Sequence, residues 1–129
     1  MTTAALMTRP TTLRRAILLD AAASGTMGLL LLLGAGLLEQ PLGLQAGLLR
    51  WTGVVLVPFA AGLTWIATRA RISREAVGTI VFINAAWAVG TPLLLVTEWV
   101  SPTLLGELFV LLQAAAVAAF AYLEHRASR

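Results

Sequence analysis

Four long apolar runs constrain this chain more than any other feature. They cover about 13–38, 48–68, 76–97 and 103–123. Each supplies roughly the 20 residues that an α-helix needs to cross a hydrocarbon core of about 30 Å. A water-soluble domain carries about 25% charged residues, whereas this chain carries 12%. The 129 residues therefore read as one all-α domain over 1–129, a four-helix transmembrane bundle.

The connections are short. "EQPLGLQAG", with Pro41 and Gly43, joins the first pair; "RARISRE" joins the middle pair and "EWVSP" the last. Loops of this length force neighbouring helices to run antiparallel, so the path is up, down, up, down. The arginines give the direction. Arg9, Arg14, Arg15, Arg69, Arg71, Arg74, Arg126 and Arg129 fall on one side, and Arg50 alone on the other. The positive-inside rule then places both termini in the cytoplasm. Trp51 and Trp99 fall at the outer interface, and Trp65 and Tyr122 near the inner one, as in an aromatic belt. A cleaved export signal does not fit, because the first run exceeds the usual length of about 7–15 residues and has no small-residue exit.

Several function classes are excluded. The basic residues sit at the ends of apolar runs rather than on one solvated face, which argues against nucleic acid as a partner. Cysteine is absent, so disulfides and thiolate chemistry are excluded. There is no lysine for a phosphate loop, and neither H-E-x-x-H nor G-x-S-x-G occurs. His125 is the one histidine and cannot by itself make a metal or haem site. No enzyme activity and no cofactor are expected.

The polar residues inside the runs are the candidates for function. Asp20 lies about 6 Å beyond Ala16, near the cytoplasmic side, and Ser24 sits one turn further on the same face. Intramembrane acids are functional by default. The structural alternative pairs Asp20 with an arginine, and likewise Arg15 with Glu124 at the same level. On the outer side Arg50 and Glu107 begin the second and fourth runs, a spacing that predicts a cross-helix ion pair. Asn84 and Gln113 lie halfway along the third and fourth runs, which predicts an amide pair worth about 0.6 kcal/mol. Val117 and Phe120 interrupt any polar line from Gln113 to Glu124. Trp87 lies mid-run, as core filler or as a pocket wall.

Small residues and prolines add packing information. Ala21, Gly25 and Gly28 in the first run, and Ala114, Ala118 and Ala121 in the fourth, permit close helix approach. Pro58 and Pro92 each remove a backbone donor, and Thr91 precedes Pro92 so that its hydroxyl can serve the freed carbonyl.

The stretches "LRRAILLDAAASG", "LLRWTGVVLVPFA", "NAAWAVG" and "SPTLLGELFVLLQAAAVAAFAYLE" resemble a group of small four-span bacterial membrane proteins, over nearly the whole chain. The resemblance implies a bacterial cytoplasmic (inner) membrane location and transfers no activity and no functional residue. In size the chain is also similar to small multidrug transporters, but Asp20 is the one matching residue and the rest of that family's pattern is absent, so the chain does not match that family.

Three functional expectations follow. The first is a non-catalytic accessory or assembly subunit of a membrane complex, set in the lipid bilayer with a membrane protein partner or as a homo-oligomer. The second is an oligomeric proton-coupled small-molecule transporter with Asp20 as proton carrier and Ser24, Asn84, Trp87, Glu107 and Gln113 as candidate path residues. The third is a lipid- or quinone-binding module using the grooves beside Pro58 and Trp87.

Overall fold

The computed structural model describes residues 10–128. Four helices follow one another: α1 (Pro10–Leu42), α2 (Ala46–Ala67), α3 (Arg74–Leu94) and α4 (Leu104–Ala127). No strand occurs among the described residues. All four helices are long and apolar enough to cross a membrane. In hydrocarbon each backbone N–H and C=O needs an internal partner, and a helix supplies them within one segment. The chain is an all-α, multi-pass membrane bundle.

Local chemistry sets the helix ends. α1 continues through Glu39, Gln40 and Pro41, where the sequence predicts a loop. It stops at Gly43, whose φ of +66° is the left-handed conformation that glycine adopts without a Cβ penalty. The Ser73 hydroxyl caps α3 by accepting from the Ala76 N–H at 3.1 Å, and Thr103 caps α4 by accepting from the Gly106 N–H at 3.1 Å. α3 ends at Leu94 rather than near Thr97, just past Pro92. The 33 residues of α1 span about 50 Å, more than the hydrocarbon thickness, so this helix tilts or projects from the bilayer.

The helices stand in the side-by-side order α2, α1, α4, α3. α1 packs along α2, α4 packs against both α1 and α3, and α2 and α3 meet only weakly although they are consecutive in the chain. The α1–α2 seam is close because of Gly53. A Cβ there would stand 2.6 Å from the Gly28 carbonyl oxygen and 2.7 Å from the Leu32 nitrogen. Such backbone-to-backbone approach is how helices associate in lipid, where the hydrophobic drive is missing. Ala21, Gly25 and Gly28 of the expected small-residue face all lie in α1, and Gly25 faces Ala60 of α2.

Apolar clusters close the two ends of the bundle. Near the termini, Leu13, Ile17, Leu63, Val77 and Ile80 pack together. Toward the opposite end, Leu31, Ala35, Leu42, Leu49 and Leu56 do so. Polar ties hold the ends. Arg14 donates through Nη1 to the Ala67 carbonyl and, at 2.8 Å, to the Arg69 carbonyl, satisfying the C-terminus of α2. At the other end Thr103 donates its N–H to the Leu42 carbonyl at 3.1 Å and its hydroxyl to the Pro41 carbonyl at 2.7 Å.

Candidate functional site

Among the described residues, Asp20, Asn84 and Glu124 are the buried polar side chains, at 1%, 3% and 0% exposure, and all three meet. Asn84 Nδ2 donates to Asp20 Oδ2 at 2.7 Å and to Glu124 Oε1 at 2.9 Å. Ser24 donates its hydroxyl to Asp20 Oδ1 at 3.1 Å, one turn along α1. Three helices thus converge on one amide. An Asn amide nitrogen carries two hydrogens, and each serves a different carboxyl.

The fourth carboxyl oxygen stands apart. Glu124 Oε2 is buried and has no hydrogen-bond partner among the described residues. Among the described residues no cation compensates the two acids. Arg14 is committed to carbonyls of α2 and its following turn. Arg15 is exposed and forms no ion pair with Glu124, and Asp20 pairs with Ser24 and Asn84 rather than with an arginine. Both arginine pairings expected from the sequence are therefore corrected: shallow arginines reach backbone carbonyls or solvent more cheaply than they enter the apolar layer.

The expected amide pair is also corrected. Asn84 binds the carboxyls, while Gln113 accepts at Oε1 from Trp87 Nε1 at 2.8 Å and donates from Nε2 to Thr91 Oγ1 at 3.0 Å. Equal position along two spans does not fix the axial register between them. Here Asn84 is level with Glu124, so Gln113 faces the next turns of α3. The Thr91 hydroxyl donates to the Trp87 carbonyl at 2.9 Å, not to the carbonyl of Ala88 that Pro92 leaves free. Arg50 and Glu107 are both exposed and form no ion pair, which removes Glu107 from any internal path in this chain.

Two polar layers result. One is Asp20, Ser24, Asn84 and Glu124; the other is Trp87, Thr91 and Gln113. The sequence signal for both is spacing. Positions 84, 87 and 91 share one face of α3, and 113 and 124 share one face of α4. The shared faces show that these residues can meet across the α3–α4 interface. They do not reveal which amide takes which partner.

Beside the second layer lies a cleft of about 500 Å³. It exists because α2 and α3 do not close on each other. Leu49, Leu56, Phe82, Trp87, Phe109 and Gln113 are among its walls. Its chief polar features are the amide of Gln113 and the hydroxyls of Thr52 and Thr91.

Among the described residues no three of His, Cys, Asp or Glu converge as a metal site. The arrangement suits proton binding instead: two adjacent carboxyls in a low-dielectric site resist carrying two negative charges. Comparison of the chain with protein-family models, with curated proteins and with solved structures finds no match.

Proposed function

We propose that this chain is a non-catalytic, proton-linked protein of the bacterial cytoplasmic membrane, with both termini in the cytoplasm, in which Asp20 and Glu124 hold one exchangeable proton between them. It acts as an oligomeric proton-coupled small-molecule transporter. The observation that carries this reading is Glu124 Oε2, buried and unpartnered, on a carboxyl that shares the Asn84 amide with Asp20. A proton on that oxygen turns an orphaned acceptor into a donor and removes one buried charge. Paired acids inside membrane spans without a cation are the pattern of proton relays.

Among the described residues the surrounding charges leave the pair to itself. On α1, Arg14 is engaged with carbonyls and Arg15 is exposed; on α3, Arg74 and Glu75 are exposed; on α4, His125 and Arg126 are exposed. On α2, the helix packed along α1, Arg50 lies at the far end and is exposed. The arginine distribution along the sequence supports the cytoplasmic placement of the ends.

The test is infrared spectroscopy of the purified protein in lipid. We expect a carbonyl band of a protonated carboxyl at neutral pH that diminishes as pH rises and is lost in Glu124→Gln or Asp20→Asn. Absence of the band, or a band unchanged in both variants, would sink the proposal. Native mass spectrometry of gently extracted protein separates the roles. A homo-oligomer agrees with transport, whereas fixed-stoichiometry complexes with unrelated subunits favour the accessory role.

A further inference from the structure

The α2–α3 cleft is not used by the proton pair, and its chemistry is specific enough to define an occupant. Among the described residues no charged side chain lines it, and such a lining suits a neutral occupant. Four of its walls are aromatic: Trp51, Phe82, Trp87 and Phe109. Faces of this kind favour a flat ring, through offset or edge-on stacking.

The hydrogen-bonding capacity is also specific. The Thr52 hydroxyl donates to the Leu48 carbonyl at 2.9 Å, the Thr91 hydroxyl to the Trp87 carbonyl, and the Trp87 N–H to Gln113. Gln113 Nε2 uses one hydrogen on Thr91. Its second hydrogen is the donor left for an occupant, which must then bring an acceptor.

Depth and volume narrow the choice. Gln113 lies roughly 14 Å along α4 from Leu104, close to the middle of the apolar layer. The ester carbonyls of a phospholipid belong to the interfacial region and do not reach that depth. A transmembrane helix about 10 Å across has a cross-section of about 80 Å². The cleft of about 500 Å³ would hold roughly one turn of it.

We propose that the cleft binds a neutral lipophile without a polar headgroup that carries a ring carbonyl, of the quinone type. The carbonyl accepts from Gln113 and the ring packs among Trp87, Phe82 and Phe109. The proposal concerns binding alone and does not depend on the proton reading.

The test uses a short-tailed benzoquinone as probe, titrated into the purified protein in detergent, with tryptophan fluorescence as readout. We expect saturable quenching at one probe per chain. Gln113→Leu should raise Kd about two- to tenfold, the loss of one hydrogen bond. Ala86→Phe, a change on the cleft wall that faces outward, should abolish saturable quenching while the melting temperature holds, and it decides the matter if Gln113→Leu fails to fold. An alkylbenzene with the same tail should not compete. Linear quenching, no effect of Ala86→Phe, or equal competition by the alkylbenzene would each overturn the proposal, the last by making the cleft a seat for acyl chains.

Discussion

Asn84 Nδ2 stands 2.9 Å from Glu124 Oε1 across the α3–α4 interface, and the same nitrogen reaches Asp20 on α1. One side chain therefore ties three helices at a single point. Replacing it with leucine keeps the bulk and strips both donors. Each carboxyl then loses a buried partner, at about 1–3 kcal/mol apiece. Asn84→Leu should lower the melting temperature in detergent sharply, and Asn84→Leu combined with Asp20→Leu and Glu124→Leu should recover much of the loss. A destabilisation by the triple variant equal to or larger than that of Asn84→Leu alone would contradict this account.

The absence of an outer ion pair gives a second expectation. Arg50→Gln and Glu107→Gln should each change stability by less than about 0.5 kcal/mol, as for surface substitutions that break no contact. Arg14→Gln should be the damaging arginine change, since Arg14 serves two carbonyls at the end of α2. Thermal unfolding of the three variants in one detergent ranks them directly.

Glycine substitutions separate seam from lipid face. Gly53→Val drives side-chain atoms into the backbone of α1 at Gly28 and Leu32. Forced separation of α1 from α2 should cost more than the 1–3 kcal/mol usual for overpacking. Gly36→Ala and Gly62→Ala meet nothing within 4 Å and should be neutral or slightly stabilising, because alanine is the better helix former. Melting temperatures of the three variants test the contrast.

Thr103 ties the last turn of α1 to the first turn of α4. Its side chain accepts from the Gly106 N–H and donates to the Pro41 carbonyl. Thr103→Val preserves shape and removes both bonds. The expected loss is about 1–2 kcal/mol, dominated by the cap, with faster proteolysis at the Gly43 turn as a second readout. Thr97→Val, in the loop before it, should lack the proteolytic effect.

Absence of cysteine makes the direction of insertion directly measurable. Single cysteines at Ser73 and Ser128 should react with an impermeant thiol reagent only from the cytoplasmic side of vesicles, and one at Ser101 only from the outer side. The reverse pattern would overturn the orientation.

Much of the fold was legible because membrane solvation is a strong filter. Long apolar runs leave the chain few options besides helices, and short loops leave it one path. Asp20 and Ser24 could be paired from the helical repeat alone. Asn84 and Glu124 could not, since the axial offset of α3 against α4 comes from packing between helices, and no local pattern records it. The arginine pairings misled for a related reason: charge complementarity ignores the unpaired carbonyls at the end of α2, which Arg14 satisfies at the membrane surface. Gly53 carries no local signal, because its importance depends on the helix opposite. The residues at 95–103 likewise give no hint that Thr103 bonds to the last turn of α1.

The side-by-side order of the helices bears on biosynthesis. α1 and α2 can pair as soon as both have left the ribosome, but α3 finds its main neighbour only when α4 follows. Asp20 therefore enters the bilayer long before Asn84 and Glu124 can reach it. Until then it must be kept neutral, stay near the surface or be shielded by an insertion factor. Completion of the cluster is tied to the arrival of α4, which holds α3 and its Asn84 in place and carries Glu124 itself.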